Sequence, residues 1–217
     1  MRWCLALVIL VVVMWSGSIG HADDTRAPAG WSEASRSRDL TIFYQDNDRA
    51  HARAFQAVGD VNAPPDAVFA VVTDVEAHPR FMPFIKESRI IQRLGPNDVL
   101  VYQVISPPLV SNRDAVLHVV TTPGSSPTSI WRSSWTAVPD ALPERSGHVR
   151  LRIAEGTWLL EPLDGGTRTH VTYTALTNVG GSIPSWMSNS SSLSVLKKMY
   201  DAIRRRVAEV APATQHS

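Results

Sequence analysis

The chain has 217 residues, 44% of them hydrophobic and 19% charged, with 21 Lys and Arg against 20 Asp and Glu. This composition describes one globular domain with a sizeable core and excludes a disordered or fibrous chain. A formal net charge of +1 supplies no global basic field to draw in nucleic acid. The single cysteine, Cys4, excludes a disulfide framework and a cysteine-ligated metal.

The N-terminus reads as an export signal. Arg2 makes a short positive region, residues 5–15 form an apolar run, and Gly20-His21-Ala22 sets small residues at the minus-three and minus-one positions of a cleavage site. The run is shorter than the ~20 apolar residues of a membrane span. Residues 1–22 are therefore expected to be removed, with an uncleaved anchor as the alternative. Removal takes away Arg2 and no acid, leaving bases and acids balanced. The expected location is the periplasm or the exterior.

Residues 23–38 are polar and rich in Ala, Ser, Arg and Pro, and read as a loose leader with Trp31 as an anchor. Strands are expected at 39–45 and 52–61. Pro64-Pro65 stops the second and introduces a short helix over 67–74. His78-Pro79 is expected to break that helix, and 80–84 to form a second apolar turn. The hydrophobic period then becomes two, which predicts strands at 85–93, 99–106, 113–122, 129–138, 148–154, 157–163 and 167–177. Gly-, Pro- and Asn-rich turns separate them, and short connections imply an antiparallel meander.

A long helix closes the chain over about 184–209. The segment Asn178-Val179-Gly180-Gly181-Ser182-Ile183-Pro184 introduces it, with Ser182 or Ser185 as a cap. Met187, Leu193, Leu196, Met199, Tyr200, Ile203 and Val207 recur at three- and four-residue steps and form one apolar stripe. Such a stripe after so many strands must be buried on the sheet. Residues 210–217 read as a disordered tail.

Three stretches carry a family resemblance. Residues 66–84 (DAVFAVVTDVEAHPRFMPF), 107–116 (PPLVSNRDAV) and 178–189 (NVGGSIPSWMSN), in this order and spacing, resemble a START domain, the lipid-transfer branch of the Bet v 1-like, polyketide cyclase-like superfamily. The likeness covers about 39–209. It implies an α+β helix-grip fold, in which a curved antiparallel sheet wraps a long C-terminal helix around a hydrophobic cavity. It also implies a lipid or sterol-like ligand held without covalent chemistry. Some sterol-binding members place an acid and an arginine in the cavity. Counted from Arg113-Asp114, those positions fall at Gln103 and Val119, so a ligand anchored on that charged pair is not expected.

Candidate cavity residues follow from alternation and from the resemblance: Gln103, Leu117, Val119, Trp131, Trp135, Glu155, Tyr173, Trp186, Leu193, Leu196 and Tyr200. The tryptophans, Trp158 included, make either an aromatic wall or ordinary core. Glu155 continues the alternation of Val149, Leu151 and Ile153, and so either points into the apolar side or ends its strand at Gly156. Arg113 and Asp114 form a ligand clamp or a loop-fixing pair. Arg204, Arg205 and Arg206 dock on anionic lipid or make a solvated helix end. The seven histidines show no metal-ligand spacing, and no H-E-x-x-H, G-x-S-x-G, P-loop or G-x-G-x-x-G occurs. No catalytic residue, metal or cofactor is expected. The expected function is binding and transfer of a lipid or other hydrophobic small molecule by a monomer that touches a membrane transiently. The alternatives are a cyclase- or hydrolase-like enzyme using the same cavity, with Glu155, Tyr173 or His118 as its polar groups, and a partner-binding module.

Overall fold

The computed structural model describes residues 27–47, 52–108, 110–178 and 185–210, with 185–192 as helical backbone alone. The expected signal, the C-terminal tail beyond residue 210 and the turn 179–184 lie outside the described residues.

Among the described residues ten strands form one sheet. They are β1 (Ser32–Arg36), β2 (Thr41–Asn47), β3 (Ala52–Val61), β4 (Ile85–Gly95), β5 (Asp98–Ile105), β6 (Asn112–Thr122), β7 (Trp131–Ala137), β8 (His148–Arg150), β9 (Ile153–Leu163) and β10 (Arg168–Asn178). Their order across the sheet is β1-β2-β3-β10-β9-β7-β6-β5-β4. All these neighbours pair antiparallel, whereas β8 runs parallel beside the start of β6. Between β3 and β4 stand the helices α1 (Pro65–Thr73) and α2 (His78–Phe81), and α3 (Ser185–Val210) follows the last strand. No helix among the described residues is long and apolar enough to cross a membrane. This is the helix-grip fold expected from the sequence.

From Leu193 onward the helix stripe does what its spacing requires, while the Met187 side chain lies outside the described residues. Leu196, Met199, Tyr200, Ile203 and Val207 of α3 are buried in one cluster with Ile42, Ala57, Leu160 and Val171 of the sheet and Val68, Val71 and Val72 of α1. Burying such side chains contributes on the order of 1.5–3 kcal/mol each. Two polar ties add direction to this packing. The Tyr200 hydroxyl donates to the Ala57 and Val171 carbonyls at 2.6 and 2.9 Å. Arg204 donates through Nε and Nη2 to the Asp60 carbonyl and through Nη2 to that of Asp39. Gly59 makes the latter approach feasible, because a Cβ there would stand 2.6 Å from the Asp39 oxygen.

Three local expectations change. Residues 32–36, assigned to a loose leader, form β1, and Ala34 packs against the core. His78-Pro79 starts α2 instead of ending a helix, since a proline is tolerated in a first turn. The strand expected over 148–154 is divided: β8 stops at Arg150, and β9 begins at Ile153 and runs on through Gly156. Of the two readings of Arg113 and Asp114, the loop-fixing one holds, with each side chain tying down a different loop. Arg113 donates to the Ser111 carbonyl, whereas Asp114 holds Arg150.

Candidate functional site

Cross-strand register shows which side chains share the concave face of the sheet. Trp131 stands opposite Leu160 and Ser133 opposite Trp158, and Trp135 stands opposite Gly156. Those β9 residues face Val171, Tyr173 and Ala175 of β10, which in turn face Gly59, Ala57 and Phe55 of β3. On the other flank Trp135 faces Val119, and Leu117 and Ala115 continue the same side of β6. One surface therefore runs from β3 across to β4, with α3 and α1 lying over it.

Aromatic rings tile its middle. Trp135 stacks on Tyr173 with centroids 5.6 Å apart, Tyr173 meets Trp158 at 4.4 Å, and Trp158 reaches Tyr200 of α3 at 6.5 Å. These separations suit offset and tilted aromatic pairs. Phe69 of α1 lies 4.9 Å from Trp131. Gly156 creates the space for the Trp135 ring, which a Cβ at that position would overlap.

The degree of burial along this series is uneven. Trp158 and Tyr200 are buried, whereas Trp131, Trp135, Tyr173, Phe55, Phe69 and Leu193 are only partly buried while packing on the main cluster. Burial nevertheless pushes the Tyr173 hydroxyl up to about 12, and the hydroxyl has no hydrogen-bond partner among the described residues. Burial likewise raises the Tyr200 hydroxyl, which is bonded to main-chain carbonyls. The buried indole N–H of Trp131 also lacks a partner among the described residues. Toward β4 a second apolar cluster gathers Val75, Val101, Ala115, Leu117, Val119, Leu151 and Ala154, with Trp135 touching both.

A polar relay is set into that second region. His78 lies buried, its Nε2 3.2 Å from the Val72 carbonyl and its Nδ1 3.3 Å from the Gln103 amide nitrogen. The same amide nitrogen lies 3.1 Å from Ser88 Oγ. A carbonyl only accepts, so Nε2 carries the imidazole proton and Nδ1 accepts from Gln103. Burial lowers the His78 pKa to about 4, which keeps the ring neutral in this role.

The convex face carries a different polar group. Arg150 donates to both Asp114 oxygens, at 3.0 and 2.8 Å, and to the carbonyls of Pro139, Leu142 and Pro143. Tyr102 donates to Asp114 at 3.2 Å. Burial opposes ionisation of Asp114, but the Arg150 hydrogen bonds and charge prevail and hold its carboxyl below the ordinary range. This group fixes the 139–147 connection to the outside of β5 and β6.

The sequence candidates therefore separate. Gln103, Leu117, Val119, Trp131, Trp135, Tyr173, Leu196 and Tyr200 lie along the concave face, with Leu193 packed against its cluster. Glu155 is exposed and does not point into the apolar side, because β9 continues through it and alternation from Ala154 and Trp158 turns it outward. The Trp186 side chain lies outside the described residues. His118 pairs with Asp98 at 2.6 Å on the outer side of β5 and β6. His78 and Ser88 were missed, since neither carries a sequence signal until β4, β5 and α2 bring them to Gln103. Of the three C-terminal arginines, Arg204 is committed to carbonyls of the β2–β3 region. Arg205 and Arg206 line a surface groove of about 330 Å³ with Arg80, Phe81, Ala202 and Glu209. Among the described residues no group of three or more His, Cys, Asp or Glu side chains is placed to hold a metal ion.

Comparison with known proteins places this geometry. An uncharacterized protein of Pseudomonas aeruginosa is 29% identical over 211 residues, covering 95% of this chain and all of that one. The crystal structure of a STAR-related lipid transfer protein fragment from Xanthomonas axonopodis is similar with a TM-score of 0.72 at 29% identity, over 82% of this chain and 99% of that one. Human StAR-related lipid transfer protein 5 shares the fold with a TM-score of 0.77 at 18% identity, over 85% and 89% of the two chains. The family model for polyketide cyclase / dehydrase and lipid transport matches residues 61–204, and the chain belongs to that family.

Proposed function

We propose that this protein binds a lipid or other hydrophobic small molecule between its concave sheet face and α3, and carries it without covalent chemistry. The observation that supports this reading most is Tyr173. It retains accessible surface while its hydroxyl sits in surroundings apolar enough to raise it to about 12. Accessible surface without bulk water fits the wall of an internal space. Trp135 and Trp158 flank Tyr173 and extend that wall. An acyl chain entering it contributes about 0.8 kcal/mol per buried CH₂, enough to hold a lipid against return to water.

Catalysis requires polar groups that converge. Glu155 faces outward and His118 is paired with Asp98 on the convex side, so neither meets Tyr173. This arrangement favours a carrier over an enzyme. The proposal includes export through residues 1–22, action as a monomer, and brief contact with a membrane to load and unload. Native mass spectrometry of the chain lacking residues 1–22, followed by denaturing extraction, tests the reading. A co-purifying lipid of defined mass is the expected result. A protein that is empty and also refuses fluorescent lipids returns the assignment to the enzymatic or partner-binding alternatives.

A further inference from the structure

We propose that the surface groove between α2 and α3 is a binding site for a dianionic phosphate monoester, held by Arg80 and Arg205. The groove, of about 330 Å³, is lined by Arg80, Phe81, Ala202, Arg205, Arg206 and Glu209, so three guanidinium groups face one carboxylate. Glu209 is taken up by Arg206, whose Nη1 lies 3.2 Å from its Oε2. Arg80 and Arg205 are exposed and have no hydrogen bond or ion pair among the described residues. Two positive charges are thus left without a counter-charge in one concavity, and they come from helices far apart in the chain.

Both helices are held in place. The Phe81 ring packs on the main cluster and meets His78 edge-on at 5.8 Å, and the Met82 N–H donates to the His78 carbonyl at 2.8 Å. On α3, Arg204 bonds the Asp39 and Asp60 carbonyls and fixes the rotation of the helix. Ala202, Arg205 and Glu209 then recur at three- and four-residue steps as the stripe facing α2. Ala202 is buried and ends at a methyl group, which leaves depth between the longer side chains. The helix dipole does not account for Arg205, because its effect is confined to the last turn and α3 runs on to Val210.

Charge and shape select the ligand class. A guanidinium presents a planar fork of donors that pairs with two oxygens of a carboxylate or phosphate. A carboxylate has one negative charge and two oxygens, enough for one of these arginines. A phosphate monoester carries about −1.5 to −2 charge near pH 7 and three terminal oxygens, so it accepts from both and offsets both. A diester, with one charge and two terminal oxygens, is the poorer match. The half-buried Phe81 ring removes water from one side of the pairs and so strengthens them. The same chemistry is offered by a soluble monoester and by the headgroup of phosphatidic acid. The groove lies outside the concave face, so this site stands independently of what the cavity binds.

The test compares monoester with diester in two arms, using the chain lacking residues 1–22. Calorimetry measures glycerol 3-phosphate against glycerophosphocholine. Sedimentation measures phosphatidylcholine vesicles containing phosphatidic acid against vesicles containing phosphatidylglycerol at the same surface charge. The monoester is expected to bind about tenfold more tightly than the diester in at least one arm. A preference in calorimetry alone identifies a soluble ligand, and one in sedimentation alone identifies a headgroup. Arg80→Ala and Arg205→Ala should each bring the ratio to about one. Arg93→Ala, which removes the same charge from an exposed position on β4, should leave it unchanged. Both groove arginines are exposed, so the variants should keep the wild-type unfolding midpoint and its uptake of fluorescent lipid. No binding in either arm, equal binding of monoester and diester in both, or equal losses in Arg80→Ala and Arg93→Ala overturns the site. Failure of the wild-type protein to take up fluorescent lipid bears on the carrier reading alone.

Discussion

His78 is neutral because it is buried, and that neutrality has a consequence for stability. Its folded pKa is lowered from 6.5 to about 4, chiefly by desolvation, with the Val72 hydrogen bond opposing. Above pH 6.5 the imidazole is neutral in both folded and unfolded chains and adds no pH dependence. Between 6.5 and 4 the unfolded state takes up the proton first, so stability falls with pH. The full loss is roughly 3 kcal/mol below pH 4. Urea midpoints across that range should fall more steeply for the wild-type protein than for His78→Phe, and parallel curves would show that His78 is not the titrating group. At the same scale, Asp114 shows how a buried charge is tolerated. Arg150 and Tyr102 satisfy its oxygens, whereas either partner left alone would stay buried without compensation.

Among the elements, β9 links the ring series to the core. It carries Trp158 and Leu160 toward the concave side and gives up a side chain at Gly156 so that Trp135 can lie across it. Gly156→Ala should both displace the Trp135 ring from Tyr173 and push on the Thr174 carbonyl oxygen of β10, each of which the added Cβ would overlap, at a cost of about 3 kcal/mol, the upper end of the usual range for overpacking a filled site. Weaker near-ultraviolet circular dichroism from the stacked pair should accompany the loss, and an unchanged spectrum and midpoint would contradict this account. The last helix is equally specific. Its apolar stripe binds it to the sheet, but Tyr200 and Arg204 select its rotation and height by reaching named carbonyls on β3 and β10 and the chain before β2.

For the whole molecule, the sheet separates two environments. The concave side holds the two larger apolar clusters and the relay through Gln103. The convex side holds Asp114, Arg150 and the small cluster of Tyr102, Val104 and Val116. A ligand enclosed between sheet and α3 should therefore slow hydrogen exchange in α3 over 193–207 and in β10. The 139–147 connection should exchange at the same rate with or without ligand. Protection spread evenly over both faces would mean global stabilisation without a located site.

Much of this organisation was legible in the chain. The bounds of β3, the sequence of strands after residue 85 and the burial of the α3 stripe all follow from periodicity and turn residues, because those signals are local. Alternation sets Trp131 and Trp135 on one face of β7 and Tyr173 with Val171 on one face of β10, whereas which of the two faces is concave follows only from the cross-strand register and the helices packed on it. The break after Arg150 was not legible. There Arg150 pairs with Asp114, distant in sequence, and no local pattern marks the place. Glu155 was misread for the same reason, as the alternation was carried across a junction where the chain leaves β8 and starts β9. The sequence by itself determined the fold class and most of the elements after residue 39, because these rest on near neighbours and spacing, and the resemblance of three stretches pointed to the family. Only the tertiary structure decided that Gln103, His78 and Ser88 meet, and that Asp114 faces away from the cavity, because hydrogen bonds between distant segments exist only once the sheet has curved and the helices have closed over it.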